Sequence, residues 1–229
     1  MGEIGIKKLR PLTVAVLGGT GQEGPGLAIR WALAGYPIII GSRQAEKAQK
    51  TARGLNAELG IDTIRGLQNN EAARQADISV LTVEFTAHMD AVESLKGDLN
   101  GKILVDATAR VDFRDPKPPH PPSAARLAQN KLGAEVRIVA AFQNVPAHAL
   151  RKNIGQPLHT DVLVCADDVD AANTVIQLAN RGQMKAYYAG NLDNAIVVEG
   201  LTALLIGINK HYGVRTASIG VSGLATPEN

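Results

Sequence analysis

The stretch TVAVLGGTGQEGPG, residues 13–26, joins a short apolar strand to a glycine-rich turn and the start of a helix. Val14, Val16 and Leu17 supply the strand, and Gly19, Gly21 and Gly24 fall on the G-x-G-x-x-G spacing. Each glycine of that pattern answers a separate need. One makes the tight turn, one lets backbone N–H groups approach a pyrophosphate, and one brings helix close to strand. The phosphates of a dinucleotide then rest on a helix N-terminus, where unpaired N–H groups and the helix dipole favour anions. Pro25 suits the first helical turn. Glycines alone also serve the sterics of turns in other α/β proteins; the strand before and the helix after favour the dinucleotide.

A second cofactor signal follows where the strand at 37–41 ends in Gly41-Ser42-Arg43. An acidic residue at that point would bond the ribose 2′-hydroxyl of NAD, whereas an arginine accommodates the 2′-phosphate of NADP. This chain has the arginine. Ser42 can donate a hydrogen bond and Lys47 lies one helical turn beyond Arg43, so three donors can converge on one phosphate. The sequence therefore predicts NADP over NAD, against the plainer reading of Arg43 and Lys47 as a solvated helix face.

Apolar strands are suggested at 13–17, 37–41, 77–83, 102–106, 136–142 and 161–166, with alanine-rich helical segments at 25–35, 44–59, 69–76, 86–96 and 122–132. Alternation of this kind implies a doubly wound parallel sheet of the Rossmann, NAD(P)-binding type. After Phe142 the pattern changes: a strand at 161–166, a helix at 168–182, a strand at 184–188, a long apolar helix at 192–211 and an alternating strand around 216–221. The expected organisation is an N-terminal extension over 1–11, an NADP-binding domain over 12–150, and a small C-terminal α/β domain over 151–229 that roofs the cofactor cleft. Residues 112–122 hold five of the eleven prolines and read as a loop over the sheet edge.

At 229 residues the chain can bury a sizeable core, and a net charge of +2 gives no basis for nucleic-acid binding. Aromatics at 3% argue against base-stacking platforms. Cys165, the lone cysteine, lies in the apolar run DVLVCA and reads as packed; with no intrachain disulfide open to it, a reducing, cytoplasmic setting is expected. The segment MGEIGIKKLRPL has basic residues without an apolar core and is not expected to be a targeting sequence.

The helix at 192–211 carries Asp193, Glu199 and Lys210, and its uncharged stretch from Gly200 to Asn209 is too short to cross a bilayer, so no membrane partner is expected. Ile196, Val197, Val198, Leu201, Leu204, Leu205, Ile206 and Ile208 make it apolar around much of its circumference. Such a helix needs cover on most faces, which predicts a homodimer with this helix at or near the interface. The five histidines show no metal spacing, and His211 reads as a helix-terminal cation. No metal site and no acid–base pair is nominated.

Beyond these local readings, LGGTGQEGPGLA, GSRQAEKA, ADISVLTV, GKILVDAT, AAFQNVPA, DVLVC and LDNAIVVEGLTALLIGINKHYGVRTASIGVSGL resemble the NADPH-dependent reductases of coenzyme F420, a deazaflavin, over nearly the whole length. That resemblance implies an oxidoreductase that passes a hydride directly from nicotinamide C4 to the deazaflavin C5, without a side-chain nucleophile. It implies that Thr20, Gly21, Gln22 and Glu23 line the pyrophosphate and that Ser42, Arg43 and Lys47 hold the 2′-phosphate. Thr82 and Val83 approach the nicotinamide, with Ala109, Ala147 and Ile219 as further cofactor contacts. Glu84, Phe85, Gln143, Asn144, Val145 and Pro146 fall at the deazaflavin. Two segments depart from one branch of the family: Val83-Glu84-Phe85 stands for Ile-Pro-Trp, and Gln143-Asn144-Val145-Pro146 for His-Thr-Ile-Pro.

For such a reaction the protein has mainly to stack two rings and exclude water, so small apolar residues such as Val145, Pro146 and Ile219 can form the working surface. The acidic tail of the deazaflavin is expected at Arg110, Arg114 and Lys117 or, failing these, near Lys210 and Arg215. Two other readings stay open from the residues: another NADP oxidoreductase of this fold, such as a flavin or ferric reductase or a small-molecule dehydrogenase, and a non-catalytic NADP-binding sensor.

Overall fold

Alternate residues of Val14–Leu17 (β1) enter opposite cores, Val14 and Val16 on one face of the sheet and Ala15 and Leu17 on the other. A strand buried on both faces calls for helices on both sides, which is the doubly wound arrangement. The computed structural model describes residues 11–224; nearly all of the expected extension over 1–11 lies outside the described residues.

From β1 the chain runs through Gly24–Leu33 (α1), Ile38–Ser42 (β2), Ala45–Leu59 (α2), Ile64–Gln68 (β3), Asn69–Gln75 (α3) and Ile78–Leu81 (β4). It continues through Phe85–Ser94 (α4), Ile103–Asp106 (β5), Ala124–Leu132 (α5), Arg137–Ala140 (β6) and the short Ala147–Leu150 (α6). Val162–Ala166 (β7), Val169–Arg181 (α7), Ala186–Tyr188 (β8) and Ala195–Tyr212 (α8) complete it. The strand order is β3-β2-β1-β4-β5-β6-β7-β8, with β1 to β6 parallel. The order reverses between β1 and β4, so the carboxyl ends of those strands open a crevice there.

The C-terminal α/β segment adds its strands to the edge of this same sheet: β7 runs antiparallel to β6, and β8 parallel to β7. Two buried side chains of α1 fasten it. Trp31 donates to the carbonyl of Leu178 on α7 at 3.0 Å and meets the Phe142 ring edge-on. Arg30 donates to the carbonyls of Leu150, Gln156, Lys152 and Gly182.

Two elements differ from expectation. The sequence pattern does not predict β3, because Arg65 and Gly66 interrupt the apolar pattern of an edge strand. Gly66 is needed there, since a Cβ would stand 2.3 Å from the backbone of Gln49 on α2. Conversely, residues 216–221, expected as a strand, are irregular. They are held to the start of β7 largely through side chains: Val221 N–H to Asp161 Oδ2 at 2.6 Å, Thr160 Oγ1 to the Ile219 carbonyl at 3.2 Å and Ser218 Oγ to the His159 carbonyl at 2.9 Å.

α8 is not buried on most faces. Val198, Glu199, Ala203 and Leu205 face the core, while Val197, Leu204 and Ile208 are exposed. By length and composition the run Leu192–Tyr212 could cross a membrane, but its Glu199 is buried against the domain, accepting the backbone N–H groups of Arg110 at 3.0 Å and Ala124 at 2.7 Å.

Candidate functional site

The turn after β1 is held by backbone contacts that leave its outer face free. Gly19 N–H donates to the Gly41 carbonyl, and Gly18 N–H to Asn69 Oδ1 at 3.1 Å, so the ends of β1 and β2 and the start of α3 are drawn together. A Cβ on Gly24 would lie 2.5 Å from Gly19 Cα, so helix and turn could not close up around any other residue. A Cβ on Gly21 would meet only the Gly18 carbonyl, at 3.9 Å. Its face is open, as backbone approach by a phosphate requires. Pro25 stands in the first turn of α1.

At the end of β2, Ser42 is buried and its Oγ accepts the Gln44 N–H at 3.3 Å, leaving its hydroxyl hydrogen to donate. Arg43 and Lys47 are exposed, and neither forms an ion pair among the described residues. Two unpaired cations beside a hydroxyl fit a phosphate.

The carboxyl ends of β4, β5 and β6 border a cavity of about 970 Å3 that begins at Gly21, Gln22 and Glu23. Thr82, Val83 and Glu84 line it beyond β4, and Ala107, Thr108 and Ala109 beyond β5. Gln143, Asn144, Val145, Pro146 and Ala147 line it beyond β6. Its roof is α8, through Thr202, Leu205, Ile206 and Asn209, with Lys210 and the following Val214, Arg215 and Ala217.

The sequence profile described as NADP oxidoreductase, coenzyme F420-dependent, matches residues 13–110. An F420-dependent NADP reductase of Methanothermobacter thermautotrophicus is 37% identical over 96% of this chain and 99% of its own length. One from Methanocaldococcus jannaschii is 39% identical over 93% of this chain and 99% of its own. The chain belongs to the F420-dependent NADP reductase family. A solved structure from Arthrobacter sp. FB24, at 23% identity, shares the fold with a TM-score of 0.76 over 93% of this chain and all of that one.

Most residues that the family resemblance singled out thus border one cavity. Thr20, Phe85 and Ile219 do not. Phe85 begins α4 and stacks on His88, with the Arg110 guanidinium 5.0 Å above its ring. Ile219 spends its carbonyl on Asp161 and Thr160, at the start of β7. Ser42, Arg43 and Lys47 stand apart at the end of β2, outside this cavity.

The amides of Gln143 and Asn144 are half committed. Gln143 Nε2 donates to the Asp106 carbonyl at 2.9 Å, and Asn144 Nδ2 to the Asp161 carbonyl at 2.8 Å. Gln143 Oε1 and Asn144 Oδ1 are buried without partners among the described residues, so each residue has an acceptor left over. A ligand ring offering N–H groups would satisfy them.

Of the basic residues expected at the acidic tail, Arg110 folds back on the carbonyls of His120 and Pro122, and Lys117 pairs with Asp115. Neither they nor Arg114 borders the cavity. Arg110 thus spends its guanidinium on loop carbonyls and Lys117 its ammonium on a loop carboxylate, while the alternative pair, Lys210 and Arg215, does border the cavity, with Lys210 Nζ donating to the Arg114 carbonyl at 2.8 Å. Arg215 Nη1 lies 3.3 Å from His148 Nε2.

Sequence reasoning missed the polar frame under the cavity. His88 Nε2 meets Asp106 Oδ2 at 2.7 Å with both side chains buried, and Asp106 Oδ1 accepts the Thr108 N–H at 3.0 Å. Burial pushes the Glu199 carboxyl up to about 7, against the N–H bonds from Arg110 and Ala124. Burial likewise raises the Cys165 thiol to about 11, consistent with a packed, inert cysteine. No periodicity or spacing marks Asn69, His88 or Glu199; their partners are brought up by the sheet topology.

Proposed function

We propose that this protein transfers a hydride between NADPH/NADP+ and coenzyme F420, directly between the two rings. The observation that carries this reading is the cavity's continuity from the open phosphate turn to the strand ends beside β4, β5 and β6, in a chain so similar to F420-dependent NADP reductases. At about 970 Å3 it stands at the top of the roughly 300–1,000 Å3 of ordinary ligand pockets, room for two stacked rings.

The bound nicotinamide and deazaflavin would supply the hydride donor and acceptor themselves. The chain's work is positional. Thr20, Gly21, Gln22 and Glu23 hold the pyrophosphate, and Ser42, Arg43 and Lys47 the 2′-phosphate. Thr82, Val83, Ala109 and Ala147 set the nicotinamide against the wall. Gln143 and Asn144 offer acceptors to the deazaflavin edge, Val145 and Pro146 give an apolar face, and α8 limits access of water. Lys210 and Arg215 take the acidic tail.

Purified protein with NADPH and F420 should bleach the deazaflavin absorbance band. NADPH deuterated at C4 should deliver its label to reduced F420 without exchange with solvent; label lost to water would rule out direct transfer. Turnover of FMN or FAD in place of F420 would favour a flavin reductase, and NADPH binding without any turnover would favour a sensor.

We also propose a homodimer built on α8. Leu204, Ile208 and Tyr212 are exposed and, with Ala203, Gly207 and His211, face Pro116 and Pro118 across an apolar groove of about 440 Å3. A second copy of the same helix is the occupant that would cover it.

A further inference from the structure

Glu23 stands at the start of α1 on the wall of the cavity, beside Gly21 and Gln22. Its Oε1 is shut from solvent and makes no hydrogen bond among the described residues. An ionised carboxylate in that position would leave Oε1 with neither water nor a partner among the described residues, and a neighbouring pyrophosphate would add repulsion. The N-terminus of α1 favours an anion, yet burial prevails and pushes the carboxyl up to about 8.

The titratable groups sharing the cavity wall are Glu84 after β4, His148 on α6, and Lys210 and Arg215 of the roof; none bonds to Glu23. Arg30, two turns along α1, is turned to the carbonyls of Leu150 and Gln156. Among the described residues no cation pairs with Glu23 to keep it ionised. In the uncharged form a hydroxyl hydrogen on Oε1 has no acceptor bonded to it among the described residues, and the open side of the turn is where a phosphate oxygen would come.

We propose that Glu23 makes nucleotide binding proton-linked: as a neutral carboxylic acid it donates a hydrogen bond to a pyrophosphate oxygen, and as a carboxylate it repels the same group. The inference rests on the NADP reading above. Above the pH at which Glu23 ionises, each nucleotide bound draws one proton from solvent onto this carboxyl. Glutamine at the same position keeps a donor and loses the titration.

The test is binding of NADPH alone, by nicotinamide fluorescence and calorimetry between pH 6.5 and 9.5, with wild type and Glu23→Gln. With a carboxyl near 8, the wild-type Kd should rise about tenfold from pH 7 to pH 9. That of Glu23→Gln should stay level. Calorimetry at pH 9 in buffers of different protonation enthalpy should show uptake of about one proton by wild type and almost none by the variant. The 2′-phosphate titrates near pH 6, below this window, and equally for both proteins. A level wild-type Kd without proton uptake, or an equal rise in the variant, would overturn the role of Glu23. Absence of NADPH binding by both proteins at every pH would overturn the NADP reading along with it.

Discussion

Nε2 of His88, on α4, lies 2.7 Å from Oδ2 of Asp106, at the end of β5, and neither side chain reaches solvent. Asp106 also receives the N–H of Thr108 on its other oxygen and the Gln143 amide on its carbonyl. The pair thus braces two walls of the cavity from below. Removing one member leaves the other buried and unpaired, so His88→Ala should cost about 3–5 kcal/mol of unfolding free energy. Urea denaturation decides; a loss under about 1 kcal/mol would mean that water or a rearranged neighbour replaces the ring.

Arg43 carries nucleotide preference. Arg43→Ala should weaken NADPH by about 1.5–3 kcal/mol, the worth of a hydrogen bond to a charged group, and leave NADH nearly unchanged. Equal losses for both nucleotides, in titrations side by side, would remove it from the 2′-phosphate.

Lys210 and Arg215 border the cavity whereas the cations of the proline loop do not. Lys210→Ala with Arg215→Ala should raise the KM for F420 at low ionic strength and leave the Kd for NADPH alone. High salt should erase the difference, since exposed charges are screened over about 10 Å. An unaltered KM at low salt would send the tail elsewhere.

Glu199 gives a pH signature in stability. Its folded value near 7 lies above the ordinary value of 4.5 for a glutamate, so the folded state holds a proton that the unfolded chain has released. Stability from this group is therefore complete below about 4.5 and declines as pH rises towards 7. The difference in unfolding free energy between wild type and Glu199→Gln should shrink across that window, by at most about 1.4 kcal/mol per pH unit. Growth of the difference with pH would show that the two N–H bonds outweigh burial.

Leu204 tests assembly. Leu204→Glu places a charge on the exposed side of α8 and should convert the dimer to a monomer in light scattering at micromolar concentration. A monomeric wild type would contradict the proposed interface.

The nucleotide half of the site was legible because its parts are local. The glycine turn and Ser42-Arg43 each sit at a strand end, and Thr82 and Val83 follow β4 directly, so a correct strand order carries them to the crevice. Asn69, His88 and Glu199 act on residues far away in the sequence, and their polar side chains sit in segments whose pattern says only helix. Arg110 and Lys117 show the converse: nearest to the site along the chain, they are turned aside because the loop carbonyls of His120 and Pro122 and the carboxylate of Asp115 lie closer still.

Arg30 and Trp31 reach across from the first crossover helix to carbonyls at Leu150 and Leu178. A nascent chain that has emerged only as far as residue 150 lacks the acceptors on Lys152, Gln156, Leu178 and Gly182, so its buried guanidinium and indole have too few partners to settle the half-sheet. Synthesis must run past Gly182, at the end of α7, before the nucleotide turn is fully braced, and heat or denaturant should dismantle the molecule in one cooperative step.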